Sequence, residues 1–524
     1  MKRRDFLKNT VPAGILLPSL VSGFSFKVFG ASSVFAAALQ MQAEENDHIL
    51  VLIQLNGGND GLNTLIPLEN FANYANARSN IFIPENKVLK LTGVDKAGLH
   101  PAMTGLQSLF NDGKLNIIQS VGYPQPSFSH FRATDIWMSA SDSNRVVNSG
   151  WAGRYLDYQY PNFPTGYPNP SMKDPLAIQI GSATSLTMQG PSVNMAMSIS
   201  NPNNFYNLIN GVQDPAPATP AGKELTYIRQ VTQQTQQYAS VIKDAAAKVP
   251  TQVTYPSNNT LADQLKIVSR LIKGGLKTRV YMVSIGGFDT HATQVNAGDT
   301  TTGTHATLLG RVSDAIKAFQ NDLAFLGVDD KVVGMTFSEF GRRIKSNGSS
   351  GTDHGAAAPV FVFGKQVIGG VTGNTPNFGS SVGVGDNVPF QYDFRSVYST
   401  LLSNWLCVDE ADLQQIMLKN FQNLPLVSGA VCKRPQPLAT EQLISNYPNP
   451  FTASTVITFK TGGGHTLIQI IDTSGRVLAV LTDKEYAAGT YTLTFNSGFL
   501  PTGVYYARFQ NMAVQQVRPM LKVK

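Results

Sequence analysis

Cysteine is scarce in this chain, which has only Cys407 and Cys432 among its 524 residues. Two cysteines are too few for a cysteine-based metal site. The spacing of the pair leaves two interpretations open. In an oxidising compartment the two residues close a short disulfide loop, and otherwise they are two ordinary thiols.

Excess positive charge is missing from the middle of the chain, although the whole chain carries a net charge of +7. The first 30 residues carry +4 and residues 441–524 carry +3, so the residues between them sum to zero. A protein that binds nucleic acid needs a concentrated basic surface for the phosphate backbone. We therefore expect no nucleic-acid partner.

A third absence concerns catalysis. No Gly-x-Ser-x-Gly turn leads into a predicted helix, and that turn carries the serine nucleophile of many metal-independent esterases. The sequence therefore disfavours an esterase of that kind.

The N-terminus has the composition of an export signal. A basic start is followed by a moderately apolar run over residues 11–26, which Pro12, Gly14 and Pro18 interrupt. The run is too short and broken for a stable membrane span, so we prefer a cleavable signal over residues 1–40 to a membrane anchor. The Arg3–Lys8 stretch resembles the twin-arginine motif, which implies the twin-arginine translocase as a partner.

Buried-strand patterns alternate with amphipathic helical patterns between residues 45 and 425. Fully apolar strands that alternate with helices predict an α/β domain, in which helices cover both faces of a mostly parallel sheet. The predicted strands are residues 48–55, 115–121, 278–284, 331–337 and 359–363, and the predicted helices include residues 261–271 and 308–326.

Polar residues cluster in five loops beside these strands, and in such a sheet the loops at the carboxyl ends form the site. Each loop alone has a structural interpretation, for example a tight Gly-Asn-Asp-Gly turn or a helix cap. His100 is expected to brace a loop. Together the loops offer the oxygen and imidazole ligands that divalent metals bind, beside a serine that a metal could activate. They contain Asp60, Ser129, His130, Asp289, His291, Glu339, Arg342, Asp353 and His354.

The last 80 residues change character. Short alternating segments separated by turns predict a small β-sandwich over residues 443–524, after a proline-containing linker at 426–442. Four motifs resemble the type IX secretion C-terminal sorting domain: Asn446–Phe451, Asp472–Arg476, Ala488–Tyr491 and Leu500–Tyr505. The resemblance implies the type IX secretion machinery as a partner. The protein would pass through the periplasm and then be secreted or held at the cell surface. The alternative is a carbohydrate-binding sandwich.

The loops of the central region, taken in order, resemble the family called domain of unknown function 1501, often described as alkaline-phosphatase-like. The resemblance spans residues 48–425. It implies an alkaline-phosphatase-like fold but no settled activity. The matching stretches are Asn56–Asn63, Ser129–Ala133, Gly286–His291, Phe337–Arg342, Gly351–Gly355 and Asp393–Ser396.

The wider alkaline phosphatase and sulfatase superfamily implies roles for these residues. Asp60 would be the first metal ligand, Asp289 and His291 would bind one ion, and His354 would match the last histidine ligand. Glu339 would replace the Asp of an Asp-His pair, but Phe340 stands where its His is expected.

That departure leaves one ion, or a remodelled pair of ions, as open as the full two-ion arrangement of the superfamily. His130 or Asp353 would then complete the ligand set. Ser129 would be the nucleophile, His130 beside it is a further catalytic candidate, and Arg342 would contact the substrate anion.

The leading hypothesis is therefore an exported hydrolase of phosphate or sulfate esters that depends on one or two divalent ions, zinc or manganese. The alternative is a non-catalytic surface protein that binds polysaccharide or a partner protein on the same fold.

Overall fold

The structure is a computed structural model. It describes residues 46–200, 238–428, 432, 442–461, 464–473, 475–487, 489–498, 500–511 and 515–524. The predicted signal peptide at 1–40 and most of the predicted linker lie outside these residues. The chain divides into two compact units, which are residues 46–432 and a C-terminal unit from residue 433 onward.

The first unit is built around a mixed, mostly parallel sheet of nine strands within its described residues. The strand order is β11-β5-β10-β9-β1-β8-β6-β7, with β12 paired to β5. Only β10 runs antiparallel to its neighbours. The strands of the unit are β1 (Ile49–Leu55), β2 (Leu65–Ile66), β3 (Leu89–Leu91), β4 (Val94–Leu99), β5 (Leu115–Gly122), β6 (Ala177–Ile180), β7 (Ala196–Ile199), β8 (Val280–Ile285), β9 (Val332–Phe337), β10 (Ala358–Phe363), β11 (Gly370–Thr372) and β12 (Tyr392–Asp393).

Helices cover both faces of this sheet, as predicted. The short strands β2, β4 and β3 form a separate antiparallel sheet. A π-helical turn at Leu401–Trp405 continues α8, and 3₁₀ turns lie at Leu68–Asn70, Glu85–Lys87, Leu186–Met188 and Asp329–Lys331. The α-helices are α1 (Gly61–Thr64), α2 (Phe71–Ala77), α3 (Thr104–Asn111), α4 (His130–Ser139), α5 (Trp151–Gln159), α6 (Thr260–Lys273), α7 (Thr304–Phe325), α8 (Phe394–Thr400) and α9 (Glu410–Met417), with a further helical stretch at 238–247.

Strand β1 is apolar at nearly every position because helices cover both faces of the sheet at this strand. Successive side chains of a strand point to opposite faces of the sheet. Ile49, Val51 and Ile53 belong to the core beneath α3, α6 and α7, whereas Leu50 and Leu52 belong to the core beneath α4, α5 and α8. A strand that is covered on both faces therefore reads as a continuous apolar run.

The C-terminal unit is a small sandwich of two antiparallel sheets, which confirms the prediction. One sheet has the order β13-β14-β17 and the other β16-β15-β18-β19. Their inner faces share a core that includes Ile457, Phe459, Ile468 and Phe509. The strands are β13 (Gln442–Tyr447), β14 (Ser454–Thr461), β15 (Gly464–Ile471), β16 (Val477–Tyr486), β17 (Gly489–Asn496), β18 (Gly503–Asn511) and β19 (Gln515–Lys522).

The end of the first unit differs from the predicted boundary. Leu426 and Val427 are buried, and Val427 forms a β-bridge with Val367. These residues pack on the core because they are apolar, so the first part of the expected linker is structured. Among the described residues, no helix is long and apolar enough to cross a membrane.

Cys407 and Cys432 form a disulfide, which resolves the alternative that their spacing left open. Its closed loop spans a sequence separation of 25. A cross-link stabilises a fold mainly by restricting the unfolded chain, and a loop of this length corresponds to about 3 kcal/mol.

We expect the Cys407→Ser/Cys432→Ser variant to lose about 3 kcal/mol of unfolding free energy, because its unfolded chain regains that conformational entropy. Urea unfolding followed by tryptophan fluorescence measures the loss. Wild-type protein with reductant is the matched control and should unfold like the variant. Equal midpoints for the variant and the oxidised wild type would contradict the stabilising role.

Candidate metal centre

The five predicted loops meet at one edge of the large sheet. Strands β1, β8 and β9 are parallel neighbours, so the loops that follow them leave the sheet side by side. Strand β10 is antiparallel to both β9 and β5, so β5 also ends at this edge and β10 begins there. The loops after β1, β5, β8 and β9 and the loop before β10 therefore converge.

Three histidines turn the same ring nitrogen towards one carboxylate. His291 Nε2 and His354 Nε2 each lie 3.2 Å from Asp289 Oδ1, and His130 Nε2 lies 3.4 Å from Asp289 Oδ2. His130, Asp289 and His354 offer ligand atoms that all lie within 4.8 Å of one another. Residues from three separate loops therefore form one cluster, which we call the histidine cluster (His130, Asp289, His291 and His354).

The other ring nitrogen of each histidine faces an oxygen acceptor. Nδ1 lies 2.9 Å from Glu339 Oε1 in His130, 3.2 Å from Asp353 Oδ1 in His291, and 2.8 Å from the Phe128 carbonyl in His354. An ionised carboxylate or a carbonyl only accepts, so each Nδ1 is the donor, and in a neutral ring the lone pair then lies on Nε2. Metal-binding histidines are commonly oriented by such acceptors.

The separation of the two facing imidazoles points to a positive charge between them. His291 Nε2 and His354 Nε2 lie 2.8 Å apart. Two lone pairs repel at this distance unless a proton or a metal ion lies between them. Burial lowers the pKa of His354, although its bonds to Phe128 and Asp289 act in the opposite direction.

The spacing of the ligand atoms also suits a metal ion. Donors that surround zinc tetrahedrally at its usual bond length lie about 3.3 Å from one another. The edges among Asp289 Oδ1, His291 Nε2 and His354 Nε2 measure 2.8–3.2 Å. Imidazole and carboxylate donors suit zinc and manganese, so the chemistry of the donor set fits a divalent ion.

Asp289 is held ionised although its surroundings partly exclude water. Burial alone would raise its pKa, but the contacts with Arg342 and His354 and the nearby positive charges lower the pKa of Asp289 to about 2. Arg342 Nη2 lies 2.8 Å from Asp289 Oδ1. The carboxylate is therefore charged at neutral pH.

Arg342 was expected to contact the substrate anion, but the structure places it in the interior. It is 1% exposed. Its guanidinium donates to the carbonyls of four residues in three loops, in addition to Asp289. Because these donors are engaged, Arg342 positions the loops beneath the cluster and does not face a substrate. The carbonyls are those of Gly57, Gly58, Phe288 and Thr352.

Phe340, at the position where a histidine was expected, forms the floor of the cluster. Its ring centroid lies 4.9 Å from that of His130 and 4.5 Å from that of His354. Gly58 makes room for it, because a Cβ at that position would lie 2.3 Å from the Phe340 ring. The position supplies packing in place of a ligand.

Glu339 and Asp353 are brought to the site but stand behind its histidines. Glu339 is buried and also accepts a hydrogen bond from the Gly57 amide at 2.9 Å. Asn347 donates to Asp353, and this bond is the main reason for the lowered pKa of that carboxyl. Both carboxylates orient imidazoles in this arrangement, whereas direct ligation was expected.

Ser129 lies at the rim, directly before His130. It is exposed and occupies the N-cap position of α4, but its side chain makes no capping hydrogen bond. The hydroxyl is therefore accessible next to the histidine cluster.

Asp60 lies apart from the histidine cluster, in a buried network. Both of its carboxylate oxygens lie within 2.8 Å of Arg78 Nη1, and Gln294 Nε2 donates to Oδ2 at 2.6 Å. Burial is the largest influence and raises the pKa of Asp60, but the charges of Arg78 and His305 and the hydrogen bonds from Arg78 and Gln294 together lower it. Its oxygens already have partners, so the structure does not place Asp60 as a metal ligand.

Gln294 links this network to the site, and it was not singled out in the sequence. Its Oε1 accepts hydrogen bonds from Thr290 at 3.0 Å and Thr352 at 2.9 Å. Asp60 thereby holds the two loops that carry Asp289 and His354.

His100 was expected to brace a loop. Its burial agrees with that role, and so does its ring nitrogen Nδ1, which accepts a hydrogen bond from the Ala102 amide.

The fold and the site define an α/β protein with a histidine- and aspartate-lined centre at the carboxyl edge of its sheet. The family described as "Protein of unknown function (DUF1501)" matches residues 47–389. This match covers most of the chain, so the chain belongs to the DUF1501 family. No curated protein matches it.

The C-terminal unit matches the family described as "Secretion system C-terminal sorting domain" over residues 445–522. This domain directs export through the type IX secretion system to the cell surface or beyond.

Solved structures show only distant similarity. A protein in the alkaline phosphatase superfamily from Vibrio parahaemolyticus is 10% identical, with 91% of this chain and 83% of that chain covered and a TM-score of 0.34. The PsFucS1 sulfatase from Pseudoalteromonas sp. is 12% identical, with 88% and 85% covered and a TM-score of 0.32. The lipoteichoic acid synthase LtaP from Listeria monocytogenes is 11% identical, with 72% and 75% covered and a TM-score of 0.28. Similarity at this level assigns neither an activity nor a substrate.

We expect Asp60→Ala to lower the unfolding free energy by about 3–5 kcal/mol, because it leaves the buried charge of Arg78 unpaired. Urea unfolding measures the change. The matched control is Glu69→Ala, which breaks the exposed Lys96–Glu69 pair and should cost less than about 1 kcal/mol. Equal costs, or loss of bound metal from natively folded Asp60→Ala, would contradict the structural role.

Proposed function

We propose that this protein is a metal-dependent hydrolase of phosphate or sulfate esters, with one divalent ion bound by Asp289, His291 and His354. The observation that carries the proposal is the common orientation of three imidazoles, each with Nδ1 bound to oxygen and Nε2 turned to Asp289. His130 is the candidate fourth ligand. Zinc or manganese suits these donors.

The charge of the site supports the need for a cation. Asp289, Asp353 and Glu339 bring carboxylates to it. Among the described residues, the arginine that contacts the histidine cluster is Arg342, and its side chain is fully buried. An anionic ester would meet net repulsion here without a bound cation. A divalent ion would supply positive charge for the anionic oxygens of the ester and for the attacking oxygen.

Ser129 is the candidate nucleophile. Its hydroxyl is accessible at the start of the ten-residue helix α4. The first backbone amides of a helix have no partner within the helix, and they favour negative charge. This end of α4 would therefore stabilise an ionised serine or the ester's anionic group. His130, the next residue, would exchange a proton with it through Nε2 if that nitrogen does not bind the ion.

Metal content and turnover test the proposal together. Chain purified without chelator should contain about one zinc or manganese ion, measured by mass spectrometry, and should cleave p-nitrophenyl phosphate or sulfate. The Asp289→Asn/His354→Ala variant should lose both, because two ligands are removed. His465→Ala, on the C-terminal unit, is the matched control and should keep both.

Ser129→Ala separates the nucleophile from the metal site: it should keep the ion and lose turnover. Unchanged turnover in the Asp289→Asn/His354→Ala variant would refute the site. Stoichiometric metal without turnover of any ester would favour the alternative, a surface protein that binds polysaccharide or a partner.

The orienting carboxylates provide a further test. We expect Asp353→Asn and Glu339→Gln to weaken metal binding by about 10–100-fold, because each loosens one imidazole without removing a ligand. Competition with a fluorescent chelator measures the affinity. Asp299→Asn, an exposed change in the connection between β8 and α7, is the control. A complete loss of metal in Asp353→Asn would instead identify Asp353 as a direct ligand.

A further inference from the structure

An open depression of about 370 Å³ adjoins the histidine cluster. It shares His130 and Glu339 with the site and is also lined by Asn56, Phe131, Thr134 and Asp135. Its volume is at the lower end of the range for ligand pockets. A ligand in this depression would therefore touch the metal centre and be about the size of a single ring with its substituents.

Phe131 does not belong to the packing pattern of its helix. The core face of α4 is formed by Ala133, Ile136 and Trp137, all buried. Phe131 is 88% exposed, more than any other large hydrophobic side chain that the structure describes. Single exposed hydrophobic residues are common on protein surfaces. This one, however, lines the depression beside the site, so its apolar ring is available to a ligand there.

The polar residues around Phe131 suit a hydroxylated ligand. Thr134 and Asp135 follow Phe131 at the three- and four-residue steps that share a helix face. With Asn56 they offer a hydroxyl, a carboxylate and an amide, which can bind the hydroxyl groups of a ring. An aryl group would use the Phe131 ring but leave these polar groups unpaired.

The charge of the lining excludes a second anion. It contains the carboxylates of Asp135 and Glu339 and neither lysine nor arginine. A nucleotide or a diphosphate would bring further negative charge against these carboxylates. The group that this lining suits therefore brings no further negative charge and has both an apolar face and hydroxyl groups. A pyranose ring has both.

We propose that this depression binds the sugar ring of a sugar phosphate or sugar sulfate, with Phe131 as the stacking surface and Asp135 as a hydroxyl acceptor. The proposal rests on the proposed ester hydrolase function and names its substrate class. The anionic ester group would lie at the histidine cluster, and the ring would lie on Phe131.

Substrate discrimination tests the subsite. For metal-loaded protein, the kcat/KM for glucose 6-phosphate or glucose 6-sulfate is divided by that for the ethyl ester of the same acid. Phe131→Ala should lower this ratio about tenfold through KM, because the sugar loses its stacking surface. Phe131→Tyr should restore the ratio and Asp135→Asn should lower it. Phe325→Ala, at another exposed phenylalanine, is the matched control and should not change it.

An unchanged ratio in Phe131→Ala would overturn the subsite while leaving the proposed hydrolase intact. A fall in the ratio of p-nitrophenyl ester to ethyl ester alone would show that the depression takes an aryl group, and would also overturn it.

Calorimetric binding of glucose 6-phosphate provides a readout that does not need turnover. Binding that Phe131→Ala weakens, without hydrolysis of any ester, would support the subsite and refute the hydrolase. Absence of both binding and turnover would refute both.

Discussion

Four loops are held together at one edge of the sheet by a single buried guanidinium, that of Arg342. It donates to carbonyls of the loops after β1 and β8 and the loop before β10, and it belongs to the loop after β9. A buried guanidinium must place its donors on acceptors, since an unpaired buried charge is very costly. The hydrogen bonds of Arg342 therefore fix where the loops pass one another. A further hydrogen bond from its guanidinium positions Asp289 at this point.

Glycine is required where these loops cross. A Cβ on Gly57 would lie 2.3 Å from the Asp289 amide, and one on Gly351 would lie 2.4 Å from the backbone of His291. Gly57 also has a φ of 122°, which is strained for other residues. The glycines that the sequence presents as turn residues thus allow separate loops to approach closely enough for their histidines to share one carboxylate.

The sequence predicts the loops well because their position follows from strand order. Apolar runs identify β1, β8 and β9, and parallel strands bring their carboxyl ends together. That reasoning is enough to place Asp289, His291, His354 and His130 in one region. It cannot choose which polar residues become partners, because that depends on contacts between distant segments. The Phe128 carbonyl, for instance, orients His354 without any sequence signal.

Asp60 and Arg342, which carry opposite charges, both show this limit. Each is a charged residue in a polar loop, so each was expected to face the substrate or the metal. Each is instead buried against an opposite charge, Arg78 for Asp60 and Asp289 for Arg342. A buried charge is tolerated when it is paired and hydrogen-bonded. Arg78 lies 18 positions after Asp60 in the chain, and Asp289 lies in a different loop from Arg342. A local pattern therefore identifies a polar centre, while tertiary pairing decides which charges are structural.

The same pairing bears on the number of ions. The guanidinium of Arg78 supplies the positive charge that Asp60 needs, so that carboxylate places no demand on an external cation. Phe340 contributes a ring face where a second imidazole was expected. The group that still requires a cation is the one around Asp289, where the Nε2 atoms of His291 and His354 face each other at 2.8 Å. Charge compensation within the fold therefore favours one ion over two in the proposed metal centre.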